Sequence, residues 1–337
     1  MTLQEVITDY CHTIGVDASL VQGAGGNVSW KAGNTLWIKA SGAWLADANR
    51  KSIFVPVDLI RLKDHVKSQR FDAAPVVLHR MSRRPSIETM LHSIVPHRIV
   101  VHTHPIAVLV HLVQAGCVEI LQRRLPPSVS WLLVDYHKPG AKLAEALQRA
   151  IEHTALSPSV LFLANHGMLV GGETVNEVDH LHRQVLDSLR ELPRPLDDCS
   201  PSEIPHQLIK RGYGLPENPL VHRIALDDIC LLLVEKHWAL VPDIVVFLGD
   251  RPQIFDTSDD VVGFIRFARS APAFVLIRHL GVFIRKNANR AIEAMLVFFA
   301  EIAGRLKTID HVRSLTRSDI EALMEWEAER YRVNAGQ

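Results

Sequence analysis

Between residues 3 and 192 the chain alternates runs of helical period with short apolar runs of strand length, each closed by Gly, Asp or Pro. That rhythm is one of helices interleaved with short strands. Leu3, Val6, Ile7 and Tyr10 share one face of an opening helix, and a Gly-rich turn follows at Gly23–Asn27. Val28, Trp30 and Leu36–Ile38 read as a hairpin, Ile53–Val57 as a further strand and Pro75–Arg80 as another. A first-turn proline and apolar Ile87, Met90, Leu91 and Ile94 predict a helix from Pro85 to Val95, stopped by Pro96. Beyond it, Arg98–His104 is strand-like, Ala107–Gln114 helical, Val160–Ala164 strand-like and Val175–Leu192 a long amphipathic helix.

The rhythm breaks at Glu191–Pro205, where prolines, acidic residues and serines crowd together, so a linker is expected at about 196–206 between units 1–195 and 207–337. With 337 residues, 47% of them hydrophobic, and a mean hydropathy of +0.09, there is ample material for a core in each. The 37 Lys and Arg balance the 37 Asp and Glu, which disfavours nucleic acid or an anionic membrane as partner. No apolar run reaches the ~20 residues of a membrane span, and the first 22 residues lack a basic segment followed by an apolar one, so a cytoplasmic location is expected. Cys11, Cys117, Cys199 and Cys230 are scattered without a CxxC pair, the usage of reduced, buried thiols.

Histidine is the residue in excess, at eighteen copies. His102 and His104 lie two apart in Ile-Val-Val-His-Thr-His-Pro, a spacing that puts both imidazoles on one side of a strand, where they can meet one cation. His166, in Ala-Asn-His-Gly, comes off another apolar strand onto a glycine that permits a sharp turn. Three imidazoles leave a zinc ion one open position, as catalytic sites require. Glu88, on the helix that leads into the His102 strand, is placed either to ligate such an ion or to act as a base beside it. Gly23-Ala-Gly-Gly-Asn27 misses a dinucleotide fingerprint because Val28 stands where the last glycine belongs, yet such a turn still presents N–H groups to an anion, with Asn27, Ser29, Ser41, Gly42 and Ser86 as neutral donors. There is no GxSxG for a serine hydrolase.

Four motifs in order, Gly25-Gly-Asn27-Val-Ser29, Lys39-Ala-Ser41-Gly42, Pro85-Ser86-Ile-Glu88 and His102-Thr-His104 completed by Asn165-His166-Gly167, resemble the class II aldolase/adducin family over about residues 1–195. The resemblance implies an α/β fold with a central, mainly antiparallel sheet flanked by helices. It also implies a Zn²⁺ or other divalent ion on His102, His104 and His166, and Glu88 as the base that removes a proton from a chelated hydroxyketone. Asn27, Ser41, Gly42 and Ser86 are implied to hold the substrate's phosphate, and Tyr136 to protonate an aldehyde oxygen. The expected substrate is a small sugar phosphate or related hydroxyketone, and the expected assembly a homo-oligomer, tetramer or dimer. Epimerase or dehydratase chemistry on the same fold, and a non-catalytic adducin-like binding role, are the alternatives.

Two departures stand out. Ile87 occupies the place of a second serine in the small aldolases, so the phosphate pocket loses a hydroxyl and the donor need not be dihydroxyacetone phosphate. The chain also continues well past the end of those enzymes. Its second half resembles a worn copy of the first: Pro96–Pro105 matches Pro242–Pro252, placing Phe247 and Gly249 where His102 and His104 stand, and Leu161–Gly167 matches Phe274–His279. A degenerate aldolase-like or oligomer-forming role is expected for it, with His279 a satisfied core histidine. An amphipathic C-terminal helix is expected over Leu315–Tyr331, capped by Thr316 or Ser318.

Overall fold

Thr2 opens the first helix with a reciprocal cap, accepting from the Glu5 N–H while the Glu5 carboxylate accepts from the Thr2 N–H. The computed structural model describes residues 2–79, 82–154, 157–196 and 203–327. The chain divides into two compact units, one of Met1–Arg190 together with Glu325–Gly336, the other of Glu191–Met324.

The first unit holds seven strands, β1 (Asn27–Ala32), β2 (Thr35–Lys39), β3 (Phe54–Asp58), β4 (Ile99–Thr103), β5 (Trp131–Val134), β6 (Val160–Leu163) and β7 (Gly167–Gly172), in the order β3-β2-β1-β4-β7-β6-β5. Every neighbouring pair is antiparallel except β5 with β6. Its helices are α1 (Leu3–Gly15), α2 (Leu59–Lys67), α3 (Thr89–Ile94), α4 (Ile106–Leu112), α5 (Cys117–Arg124), α6 (Ala141–Glu152) and α7 (Val175–Leu189). One sheet face, carrying Leu36, Ile38, Val55, Val57, Val100, Leu161, Leu163 and Leu169, packs on Leu59 and Leu62 of α2, Met90 and Leu91 of α3, and Leu143, Ala144 and Leu147 of α6. The other is covered by α4 and α7, with α1 and α5 packed on them. The result is a three-layer α/β arrangement around the central, mainly antiparallel sheet that the family resemblance implies.

Period-two alternation along β4 decides which side chains face the chemistry. Val100 belongs to the α2/α3/α6 face, so His102 shares it and Thr103 points the other way. There the Thr103 hydroxyl meets the His182 Nε2 of α7 at 3.0 Å. Burial pushes the His182 imidazole down from 6.5 to about 4, against Asp179 and Asp17, which raise it, and with Arg183, which lowers it. Between those two values the unfolded chain binds a proton that the folded one refuses, so stability rises with pH across the window and is lost on acidification. The unfolding free energy is expected to fall by about 1.4 kcal/mol per pH unit between pH 6.5 and 4 on this account alone. Denaturant titrations of wild type and His182→Gln should show a shallower slope for the variant; parallel slopes would assign the acid sensitivity to other groups.

Two local expectations change. Around Pro75–Arg80 no strand forms among the described residues; Val77 makes a single bridge to Val57, and Arg80 lies outside them. The third helix begins at Thr89 rather than Pro85, because Pro85 is bridged to Ala40 and Ser86 N–H donates to the Lys39 carbonyl at 3.2 Å.

The second unit has its own four-stranded sheet, β8 (Tyr213–Gly214), β9 (Ile254–Phe255), β10 (Phe274–Ile277) and β11 (Gly281–Arg285), ordered β8-β11-β10-β9. Helices α8 (His206–Ile209), α9 (Arg223–Leu226), α10 (Asp228–Lys236), α11 (Pro242–Leu248), α12 (Ser258–Phe267), α13 (Arg290–Arg305) and α14 (Arg317–Met324) surround it in sequence. Because Pro242–Leu248 is a helix, with its proline in the first turn, Phe247 and Gly249 do not occupy strand positions like those of His102 and His104. His279 is no core histidine either. It sits in an exposed turn with φ 54°. Thr316 precedes α14 and exchanges hydrogen bonds with Asp319, while Ala328–Tyr331 of the expected C-terminal helix lie outside the described residues. Cys11, Cys117 and Cys230 are buried and form no disulfide among the described residues; Cys199 lies outside the described residues. No described helix is long and apolar enough to cross a membrane.

Candidate metal centre

His102 lies near the end of β4 and His104 just past it, both buried. The partner strand β7 begins at Gly167, and the three-residue turn from β6 puts Asn165 in the left-handed region at φ 53°, a conformation asparagine tolerates better than most residues. That turn delivers His166 to the same end of the sheet. A Cβ at Gly167 would lie 2.4 Å from the Thr103 carbonyl oxygen and 2.9 Å from the His104 ring, so only glycine lets β7 approach this closely.

One nitrogen from each of His102, His104 and His166 lies within 4.8 Å of the others. The Nε2 atoms of His102 and His104 are 3.1 Å apart, close to the roughly 3.3–3.4 Å edge of a tetrahedron with 2.0–2.1 Å metal–nitrogen bonds. His102 Nδ1 is 2.9 Å from the Met168 carbonyl; as the donor there, it turns the Nε2 lone pair toward its neighbours. Glu88 stands at the N-terminal end of α3, with Oε1 3.4 Å from His166 Nε2 and 3.6 Å from His102 Nε2. That oxygen is buried without a hydrogen-bond partner. Burial raises the Glu88 carboxyl, and charge on the surrounding imidazoles of His102, His166, His92 and His104 draws it the other way, below the ordinary carboxylate range. A buried carboxylate oxygen lacking a donor, beside three converging imidazoles, is the donor set that a divalent cation satisfies.

The polar residues picked out beside this cluster come from three segments that the ladders lay side by side. Asn27 of β1 pairs with His102 of β4, and a Cβ at Gly26 would meet the His102 carbonyl oxygen at 3.1 Å. The Asn27 amide donates to the Ser86 hydroxyl, which also accepts from the Glu88 N–H at 3.2 Å. Ser41 N–H donates to the Arg84 carbonyl at 3.0 Å, bringing the Ser41-Gly42 turn, with Gly42 at φ 75°, next to Ser86.

Two residues given no role by the sequence patterns belong here. Lys39 is buried, and its ammonium donates to the carbonyls of Ala24 at 2.9 Å and Ala43 at 2.7 Å, tying the Gly-rich loop to the Ser41-Gly42 turn. His92, one helical turn after Glu88, has Nδ1 2.8 Å from the Ser29 hydroxyl. Burial, stronger than the opposing pull of Glu88, pushes it down to about 3, so it is neutral. Lys39 was visible as a lysine before Ala-Ser-Gly, and His92 by its i+4 spacing from Glu88.

The sequence profile of the Class II Aldolase and Adducin N-terminal domain matches residues 5–189, more than half of the chain. The protein belongs to the class II aldolase/adducin family. Among its relatives, the uncharacterized oxidoreductase YuxG of Bacillus subtilis is 27% identical over 223 residues, 61% of this chain and 31% of that protein. The chain thus spans under a third of that relative's length. Among solved structures, the N-terminal class II aldolase domain of a conserved protein from Thermoplasma acidophilum is 22% identical, covering 54% of this chain and 90% of its own, with a TM-score of 0.45. L-fuculose-1-phosphate aldolase from Thermus thermophilus is 18% identical, covering 56% of this chain and 90% of its own, with a TM-score of 0.38.

In this aldolase/adducin domain Tyr136 sits in the loop after β5. The Ala164 N–H donates to the Val134 carbonyl at 2.9 Å, so that loop leaves the sheet at the same end as the turn carrying His166. The loop closes at Gly140, φ 88°, where an added Cβ would be 3.6 Å from the Ile87 carbonyl and 3.0 Å from the Trp326 ring. Lys138 Nζ lies 4.4 Å from the Trp326 ring centroid. The chain's last described residues therefore pack against the loop that bears Tyr136, beside the segment that bears Glu88.

Proposed function

We propose that this protein is a metal-dependent aldolase acting on a small hydroxyketone or sugar phosphate. The observation that carries the reading is the placement of Glu88, a buried carboxyl group with a donorless oxygen 3.4 Å from one and 3.6 Å from another of three converging imidazoles. A divalent cation held by His102, His104 and His166, for which zinc suits three imidazoles, supplies Lewis acidity toward a substrate carbonyl. Glu88 takes the proton from the carbon next to that carbonyl, and an aldehyde carbon then forms the new C–C bond there. Tyr136 gives its hydroxyl proton to the aldehyde oxygen, and cleavage runs the same transfers backwards.

Asn27, Ser41, Gly42 and Ser86 bind the far end of the substrate through neutral donors. The Asn27–Ser86 bond and the Ser41 N–H bond to the Arg84 carbonyl hold the cradle in shape before substrate arrives, which lowers the ordering cost of binding. Lys39 keeps its two loops together. Burial of all three imidazoles and of Glu88 keeps bulk water from competing for the proton.

The test is proton NMR of dihydroxyacetone phosphate, and separately of dihydroxyacetone, in D₂O with metal-loaded and metal-stripped protein. Exchange of the hydroxymethyl C–H that needs the metal is expected with at least one of them. Absence of exchange from every hydroxyketone offered to a metal-loaded protein would remove proton abstraction from the reading.

A further inference from the structure

The second unit has the same arrangement of strands as the histidine-bearing half of the first. We propose that it is a copy of that half whose three ligand positions are now Leu215, Glu217 and Leu280, leaving a unit that keeps the frame without the metal chemistry. This goes beyond the proposed activity and does not rest on it.

Strand order and direction agree. β4-β7-β6-β5 runs antiparallel, antiparallel, parallel, and so does β8-β11-β10-β9. Helix α6 lies between β5 and β6 as α12 lies between β9 and β10, and α7 follows β7 as α13 follows β11. Such βαβ units are common, so topology alone is weak support. The turns are more telling. Leu163 pairs with Gly167 across the first hairpin and Ile277 with Gly281 across the second. In each, the middle residue of the turn is a non-glycine in the left-handed region, Asn165 at 53° and His279 at 54°, a conformation only a few per cent of such residues adopt.

Four backbone bonds, one of them tertiary, recur at matching places. Asn165 N–H donates to the Leu112 carbonyl and His279 N–H to that of Ala225; Ala164 donates to Val134 and Arg278 to Phe255. His166 donates to Leu163 and Leu280 to Ile277; Gly171 donates to Ser159 and Arg285 to Ala273. The ladder fixes the register independently of these. Val101 pairs with Val170, and Gly214 with Ile284, so a shift of 114 carries β7 onto β11 while a shift of 113 carries β4 onto β8. The Leu112–Ala225 match falls on the same shift of 113.

Those shifts carry His102 to Leu215, His104 to Glu217 and His166 to Leu280. His279 falls on Asn165, one place short of the ligand. Leu215 and Glu217 are exposed and Leu280 is half-buried against the Leu208 and Tyr213 cluster, so one carboxylate is all that remains of the donor set. The sheet ends at β8, with no counterpart among the described residues of β1 to β3 or of the Gly-rich loop.

The copy is tested by restoring what it has lost. In a His102→Ala/His104→Ala background, Leu215→His, Glu217→His and Leu280→His are introduced together, and Co²⁺ alone is the probe, read by stoichiometry after dialysis and by visible absorption. The five-fold variant is expected to gain close to one Co²⁺ per chain over its background, with the strong visible bands of a low-coordinate site. A folded variant that binds no more Co²⁺ than its background overturns the register. The background protein by itself reports on the first site, so failure of the metal reading there is seen separately. Should the five-fold variant not fold, the turn exchange Arg278→Ala, His279→Asn and Leu280→His in wild type decides the matter. It is expected to unfold cooperatively within a few degrees of wild type, since Asn165 already serves in that turn, and loss of cooperative unfolding overturns the proposal.

Discussion

His104→Ala is expected to abolish stoichiometric binding of a divalent cation by the first unit. His102, His104 and His166 bring one nitrogen each to within 4.8 Å of the others, and two imidazoles in a buried site would leave an ion without the coordination number it requires. Loss of a mere hydrogen-bonding partner of a metal ligand costs roughly 10–100-fold in affinity, so loss of a ligand should exceed that. Metal content after dialysis checks it, with circular dichroism to show that the fold survives. Because His104 lies beyond the last paired residue of β4, truncating it removes no ladder hydrogen bond. Undiminished metal in a folded His104→Ala protein would move the ion elsewhere.

Glu88→Gln is expected to keep the cation and lose proton abstraction, with hydroxyketone C–H exchange down by roughly 10²–10⁴-fold. The amide is nearly isosteric, and the backbone N–H of residue 88 still donates to the Ser86 hydroxyl, so the turn into α3 is retained. The outcome separates two roles that the 3.4 and 3.6 Å contacts to imidazole nitrogens leave equally open in geometry. A carboxylate that ligates would release metal when neutralised. One that serves as base would leave metal content unchanged while the exchange signal disappears.

How much of this was legible beforehand follows from the range over which each signal acts. Period-two alternation placed His102 and His104 on one side of β4, and the apolar run before Asn165 placed His166 at a strand end, because those relations span only a few residues. The start of α3 was misread at Pro85 because the competing partners, Ala40 and the Lys39 carbonyl, come from a strand some 45 residues away. Pro75–Arg80 has strand composition, but among its described residues Val77 makes a single bridge and no ladder extends from it. Lys39 stands in a quoted motif without a legible role for a related reason: its ammonium serves two loops that only the folded sheet brings together. In the second half, Pro242–Leu248 carries a strand-like run of Ile, Val and Phe, yet it lies behind a proline at the first helical position and closes at Gly249 with φ 97°, both helix-end signals that outweighed β-propensity.

Trp326 gives the domain boundary a different meaning. The residues that pack on Gly140 and Lys138 follow α14, so the first unit is built from two stretches of chain with the second unit threaded between them. The second unit is thus an insertion rather than an appendage. Cleavage of the chain between the two stretches breaks the covalent connection of His102, His104 and His166 with Trp326 and leaves all three histidines in place. On the proposed reading the cleaved protein is expected to retain a bound divalent cation while Trp326 stays on the loop of Tyr136 by packing alone, which makes limited proteolysis a way to tell ion binding apart from the integrity of the domain around it.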